Sequence, residues 1–376
     1  MERPSFSLGI EEEYLVVDRQ TRDVVRQPDP DFLTACGDAI GKDLAPEFLQ
    51  CQIEVGTGVH GTAAAAGEEL LEMRRGIARV AEAHGYAAIA ASTHPFASWR
   101  DQSRTQKDRY IELADDLGAT VRRMLICGCH VHVGIEDADL RIDLMNQAAY
   151  FLPHLLALST SSPYWAGEDT KLASFRLTVF DALPRTGLPD MMHSYAEYRR
   201  MVDHLIEAGC LEDATKIWWD IRPSDRFPTL EQRVTDVCSR VQDTVTIAAL
   251  FQALLAMLWR LRSTNQRWRL YPTTLIYENR WRAQRYGVSG GLVDHGKTAI
   301  VPFSDLIEEL IELALPEAEA LRSVPAILHA REIAVNGTSA QRQRSAFKSA
   351  CKDGADDREA LVAVVDALIG EFTPAV

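Results

Sequence analysis

Carboxylates and imidazoles recur in this sequence two residues apart within β-type runs, the spacing that puts side chains on one face of a strand. In Leu8-Gly9-Ile10-Glu11-Glu12-Glu13-Tyr14-Leu15-Val16, residues Leu8, Ile10, Tyr14 and Val16 share one face, and Glu11 and Glu13 share the other. In the run 51–55, Cys51, Ile53 and Val55 point one way while Gln52 and Glu54 point the other. Cys127, Cys129, Val131 and Val133 alternate with His130 and His132, and in 229–234 Glu231 and Arg233 stand together. Taken singly, each is an ordinary solvated strand face or hydrogen-bonded pair. If the four faces converge, Glu11, Glu13, Glu54 and Glu231 crowd four negative charges into one hollow. Two unit charges ~4 Å apart repel by about 4 kcal/mol at an effective dielectric of ~20, so such a cluster needs cations. Carboxylates with one or two imidazoles suit Mg²⁺ or Mn²⁺ better than zinc or copper, and magnesium keeps waters and nucleotide phosphates in its shell. Zinc held by Cys127, Cys129, His130 and His132 is disfavoured, because alternation sends thiols and imidazoles to opposite sides.

The elements that must position these groups are legible in outline. β-type runs lie at about 6–17, 49–56, 86–92, 124–135, 215–222 and 228–234. Residues 62–84 place Leu70, Met73, Ile77, Val80 and His84 at helical spacing, open on Thr62 and stop before Gly85, which predicts a capped amphipathic helix. Further helices are expected at 105–117, 139–158, 194–208, from the 230s to 262, and at 304–314 and 357–371. Strands and helices do not alternate regularly, so an α+β fold with a mainly antiparallel sheet is favoured over a doubly wound parallel one. The expectation is one catalytic domain over 1–376, with a core at about 5–290 and a C-terminal helical part at about 300–376.

Composition narrows the function. The 376 residues carry 40 Lys+Arg and 54 Asp+Glu, a formal charge of −14, with 47% hydrophobic residues. This is globular composition, and the acidic balance argues against a nucleic-acid or anionic-membrane binder. The start, MERPSFSLGIEEEYLVV, lacks the apolar stretch of an export signal. The apolar run 247–259 is interrupted by Gln252 and is shorter than the ~18–20 residues of a membrane span. Seven scattered cysteines fit free thiols in a reducing cytoplasm.

GIEEEYLVV, QIEVGTG, CGCHVHVGI, PRTGLP, RPSDRFPTLEQRV and ENRWRAQRYG, in that order across about 9–287, resemble the bacterial carboxylate–amine ligases of the glutamate–cysteine ligase type 2 group. That group is similar to glutamine synthetase. The resemblance implies a curved, mainly antiparallel sheet forming an active-site funnel flanked by helices, with ATP at one mouth and two or three divalent cations at the waist. It implies Glu11 on the phosphate-side cation, Glu13 and Glu54 on the substrate-side cation, and His130 as a further cation ligand. His132 then faces nucleotide phosphate, Glu231 binds metal, Arg233 contacts the phosphoryl group, and Arg222 sits where a phosphate-contacting arginine is kept. The implied activity transfers the γ-phosphoryl group of ATP to a carboxylate, that of glutamate by analogy, and joins the resulting acyl phosphate to an amine such as cysteine. The segment before PRTGLP departs from the pattern, so Arg176 and Arg185 are candidate substrate-carboxylate clamps or surface arginines. A homo-oligomer is compatible with this reading.

Two other functions compete. A vestigial relative would keep the fold as a metal-binding oligomer without turnover, against which stands the retention of the four carboxylates, His130 and Arg233. A nucleotidase would use Gly291-Leu-Val-Asp-His-Gly-Lys-Thr298, which matches the phosphate-loop pattern letter for letter. Its context argues for coincidence: a helix-like segment precedes it, and a β-like run ending in Pro302 follows. The arginines at 260, 262, 267, 269, 280, 282 and 285 read mostly as a solvated helix end, with a supporting role near the nucleotide for ENRW. Trp218, Trp219, Trp259, Trp268 and Trp281 read as core or interface.

Overall fold

The computed structural model describes residues 2–373. Six strands make the central sheet: β1 (Leu8–Asp18), β2 (Gln52–Gly56), β3 (Tyr86–Ile89), β4 (Cys129–Gly134), β5 (Ile221–Pro223) and β6 (Thr229–Gln232). Their order is β2-β1-β4-β6-β5, with β3 against the far end of β1, and every pairing is antiparallel. The long β1 is the hinge of this arrangement. Leu8–Glu12 pair with β4, Glu11–Leu15 with β2, and Leu15–Asp18 with β3.

Leu8, Ile10, Tyr14 and Val16 are buried on one face, as are Ile53 and Val55 of β2 and Cys129, Val131 and Val133 of β4. Against this face lie the helices Ala63–Ala83 and Val241–Ser263. Burying such side chains contributes about 1.5–3 kcal/mol each, which pins the strand register and so fixes what the opposite face presents. The two helices approach closely at Gly67, where a Cβ would stand 2.3 Å from a methyl of Val245. Val241–Ser263 outruns the apolar stretch 247–259 and is long and apolar enough to cross a membrane, but 83% of its apolar window is buried inside the protein, where it is the central core helix.

Several boundaries move for physical reasons. The helix expected at 139–158 is two, Ala138–Ala148 and Leu152–Ser159, because Pro153 starts the second. The helix expected from the 230s begins at Val241, since the chain before it still bonds to the sheet, Cys129 N donating to Thr235 O and Gly128 bridging Asp236. The helix read at 304–314 runs from Phe303 to Ala320, past Pro316. Phe32–Ile40 and Ser339–Lys352 are helices with no counterpart in the sequence reading.

Candidate active site

The sheet register sets the predicted groups directly opposite one another. Glu11 pairs with His130, His132 with Glu231, Glu231 with Arg222, and Glu13 with Glu54. Opposed residues on antiparallel strands have side chains ~5 Å apart on one face. All of them, with Arg233 and a loop residue, Glu47, line one cleft of about 300 Å³.

The groups fall into two clusters. Glu11, His132 and Glu231 offer ligand atoms within 4.8 Å of one another. His132 Nε2 is 3.4 Å from one Glu11 oxygen and 3.9 Å from Glu231. Its Nδ1 is 3.0 Å from Thr229 Oγ1, which orients the ring. The register gives the two histidines different neighbours. His132, assigned to phosphate, is the imidazole grouped with two carboxylates, because its cross-strand partner is Glu231. His130, assigned to metal, is more deeply buried, its Nδ1 3.3 Å from the other Glu11 oxygen and 3.5 Å from Arg233 Nη1. The second cluster is Glu13, Glu47 and Glu54, with Glu13 Oε2 accepting from Gly128 N at 2.7 Å.

The electrostatics of the two clusters differ. Burial alone would raise the Glu11 carboxyl, but bonds and charge from His130 and His132 outweigh it and hold it far below the usual carboxylate range. Glu231 is likewise held low against its burial, by Arg233 and then Arg222. Arg222 donates from Nε to Glu231 Oε2 at 2.8 Å and from Nη1 to Thr215 O and Ile217 O, while Arg233 Nη1 donates to Glu231 Oε1. Glu54 and Glu47 are pushed up, first by burial and then by neighbouring carboxylates. This half of the cleft has more negative charge than the protein neutralises.

That imbalance is a test of fit for divalent cations. The donor set is carboxylate oxygens and imidazole nitrogen. His130 Nε2, His132 Nε2 and Arg233 Nε are buried with no hydrogen-bond partner among the described residues. Buried polar atoms are rarely left so, and their convergence on a carboxylate cluster fits bound ions and phosphate.

The two candidate clamps lie elsewhere. Arg176 is buried, its guanidinium donating to the carbonyls of Arg233 and Val234 and packing under Gly128, where a Cβ would stand 2.5 Å from Nη2. Buried there, it braces the strand segments behind the cleft. Arg185 donates from Nε to Lys216 O and lies 5.6 Å from the ring of Trp218, a residue of the cleft wall. Glu47 escaped the sequence reading because a loop has no period to reveal it. Arg280, in the ENRW segment, is buried between Asp181 and Asp220, its Nε 2.6 Å from Asp220. Asp220 O in turn accepts from Arg233 N, so that salt-bridge network anchors the strand end carrying the cleft arginines.

The phosphate-loop pattern is a hairpin, Gly291–Asp294 paired with Ala299–Pro302. Gly296 N and Lys297 N donate to Asp294 Oδ1, and Lys297 Nζ pairs with Asp294 and Glu309. The amides and cation that would cradle a phosphate are occupied by the protein's own carboxylates, and no helix follows directly to receive it.

Comparison with known proteins accords with this geometry. The chain is 58% identical over 375 residues to a Rhodospirillum rubrum protein named "Putative glutamate--cysteine ligase 2", covering 99% of this chain and 96% of that one. It is 52% identical over 371 residues to a Paracoccus denitrificans protein of the same name, covering 99% and 98%. Among solved structures it resembles glutamate–cysteine ligase from Francisella tularensis in complex with AMP, with TM-score 0.69 and 13% identity over 98% of this chain and 89% of that one. A bifunctional glutathione synthetase from Pasteurella multocida gives TM-score 0.68 and 14% identity over 97% and 52%. At such identities the likeness is one of fold, the glutamine synthetase-like α+β fold that the sequence implied. Residues 7–367 match the model of glutamate–cysteine ligase family 2 (GCS2), and with relatives this similar along their whole length, the chain belongs to that family of ligases.

Proposed function

We propose that this cleft catalyses ATP-dependent ligation of a carboxylate, the γ-carboxyl of glutamate, to a small amine such as cysteine, with Mg²⁺ or Mn²⁺, through an acyl phosphate. The observation that carries this reading is the convergence of two acidic clusters and two arginines, from five strands and a loop, in one cleft. A carboxylate is a poor electrophile, and bringing it to ATP sets two anions against each other. Divalent cations bound here would supply charge neutralisation across the phosphates and the acceptor carboxylate.

Glu11, His132 and Glu231, with His130 beside them, would hold one cation; Glu13, Glu47 and Glu54 would hold a second. Arg233 and Arg222, held by Glu231, present guanidinium donors toward the phosphoryl oxygens as charge develops on them. No side-chain nucleophile is required, since the substrate carboxylate attacks phosphorus and the amine then displaces phosphate. The chain would work as one catalytic unit over 1–376 in a reducing cytoplasm.

The test is ADP formation across a panel of amino acids and amines with Mg²⁺ or Mn²⁺, comparing wild type, Glu54→Ala and Lys297→Ala. Glu54→Ala should lose activity by about 10²–10³-fold or more, the scale of removing a group that stabilises transition-state charge, and Lys297→Ala should retain it. Loss confined to Lys297→Ala would move the chemistry to the hairpin. No ADP with any pair would leave a metal-binding protein without turnover.

A further inference from the structure

The turn that joins β5 to β6, Ser224-Asp225-Arg226-Phe227-Pro228, lines the cleft with its first four residues. Phe227 is 56% exposed, and of the large apolar side chains left exposed among the described residues it is the one that lines the cleft. Single exposed apolar side chains are ordinary on protein surfaces. Phe227 differs in its place. Its ring lies 6.2 Å from that of His132 at an interplanar angle of 89°, edge-to-face against the imidazole that is grouped with Glu11 and Glu231.

The ring is carried on a fixed backbone. Ser224 N donates to Thr229 O at 3.0 Å, Thr229 N to Phe227 O at 2.7 Å and Phe227 N to Ser224 Oγ at 3.3 Å. Pro228 confines the backbone of Phe227 further, because a proline ring clashes with a helical conformation of the residue before it. An edge-to-face contact with one neighbour occupies at most one face of a ring. Trp218, the other aromatic side chain of the cleft wall, is less free: it packs against the cluster of Ile126, Val179, Phe180 and Leu183 and has Arg185 5.6 Å from its ring. An open apolar face beside a site for phosphate and cations, on a turn already ordered, has the properties of a platform for an aromatic heterocycle.

We propose that Phe227 is the platform on which the purine base of the nucleotide stacks. The inference rests on the ligase reading and deepens it, by assigning the base end of ATP to the turn between β5 and β6. A nucleotide joins its base to its phosphates through one sugar, and this ring stands next to the imidazole and carboxylates that would hold the phosphate-side cation. The orientation of the nucleotide follows. Its base lies at the turn and its γ-phosphoryl group points inward, toward Glu13, Glu47 and Glu54, where the acceptor carboxylate would meet it. Stacking uses the face of the base rather than its hydrogen-bonding edge, so the platform selects by ring area and favours purine over pyrimidine.

The experiment is calorimetric titration of the full chain in Mg²⁺, without amino acid or amine, using ATP, UTP and inorganic tripolyphosphate, which has a triphosphate and no base. Wild type, Phe227→Ala and Phe227→Trp are compared. Phe227→Ala should weaken ATP binding about ten- to a hundredfold, the scale of losing one base–aromatic stack, and leave tripolyphosphate binding within about twofold of wild type. Phe227→Trp should keep ATP binding, and the wild-type preference for ATP over UTP should shrink in Phe227→Ala. Three results would overturn the proposal: ATP bound equally by wild type and Phe227→Ala, tripolyphosphate weakened in Phe227→Ala as much as ATP, or Phe227→Trp as weak as Phe227→Ala while keeping wild-type circular dichroism. The second of these would make the ring a cover for the phosphates. All three leave wild-type ATP binding intact, whereas failure of the ligase reading would show as wild type binding neither ATP nor tripolyphosphate, and would take this proposal with it.

Discussion

Glu11, Glu12 and Glu13 are consecutive in β1, yet they belong to two regions with opposite electrostatic solutions. Glu12 points into the core and is fully buried. Its Oε2 accepts from Arg74 Nη2 at 2.7 Å, Arg74 Nε at 3.0 Å and Tyr14 Oη at 2.6 Å, and its Oε1 from Thr244 Oγ1 at 2.6 Å. Arg74 spends its remaining donors on Ser239 O and Cys238 O. On the other face Glu11 and Glu13 stand among Glu47, Glu54 and Glu231, with imidazole nitrogens that have no hydrogen-bond partner among the described residues. The histidines repeat the contrast. His94, in the core, is saturated by Arg22 O, Phe96 N and Ala97 N, whereas His132 Nε2 is left open toward two carboxylates. A closed network has nothing to offer a ligand; an open one of the same residue types does.

The largest effect expected from breaking the closed side is on stability. Arg74→Met leaves the Glu12 carboxylate buried without its counter-ion and should cost about 3–5 kcal/mol, read by urea denaturation. A loss below about 1 kcal/mol would show that the core pair is not the anchor its geometry suggests.

His94 tests the same side through pH. Burial lowers its pKa from 6.5 to about 4, so the folded protein keeps the ring neutral where the unfolded chain protonates it. Stability linked to this group is intact above pH ~6.5 and is lost as pH falls from there toward ~4, at up to about 1.4 kcal/mol per unit and ~3 kcal/mol in all. Denaturation midpoints between pH 7 and 4.5 should show this slope in wild type and a shallower one in His94→Asn. Equal slopes would assign the loss to other groups.

On the open side the corresponding experiment is addition of a cation. Mg²⁺ or Mn²⁺ at about a hundred times its dissociation constant should stabilise wild type by about 2.7 kcal/mol, seen as a rise in melting temperature over EDTA. Glu54→Gln should diminish the rise, and Arg74→Met, if folded, should keep it. A rise of the same size in Glu54→Gln would place the ion elsewhere.

The contrast also explains what could be read from the sequence. Alternation along a strand is strict, so the grouping of Glu11 with Glu13, His130 with His132 and Glu231 with Arg233 was visible before any fold was known. Which partner each would meet depends on register, which the sequence does not show: His130 faces Glu11 and His132 faces Glu231. Arg74 falls on the stripe of Leu70 and Ile77, so a charged residue at a core position was there to be noticed. Glu47 had no such signal, lying in a loop whose course is set by tertiary bonds such as Thr105 to Glu47 O. The helix Ser339–Lys352 reads SAQRQRSAFKSACK, with too few apolar residues to draw a stripe.

The smallest effect expected is also the one that separates the two regions most sharply. Glu54→Gln, measured in EDTA, removes an acid from a cluster in which Glu54 and Glu47 are already pushed up by burial and by neighbouring carboxylates. Relief of like-charge repulsion should leave stability unchanged or raise it by about 1 kcal/mol, even as ADP formation is lost. Residues kept at a cost to stability belong to function, whereas Glu12, equally acidic and one position from Glu11, should show the reverse: Glu12→Gln destabilises with or without the cation. If Glu54→Gln instead destabilises the cation-free protein by as much as Glu12→Gln does, the cleft carboxylates are part of the fold's own hydrogen bonding, and the distinction between the faces of β1 fails.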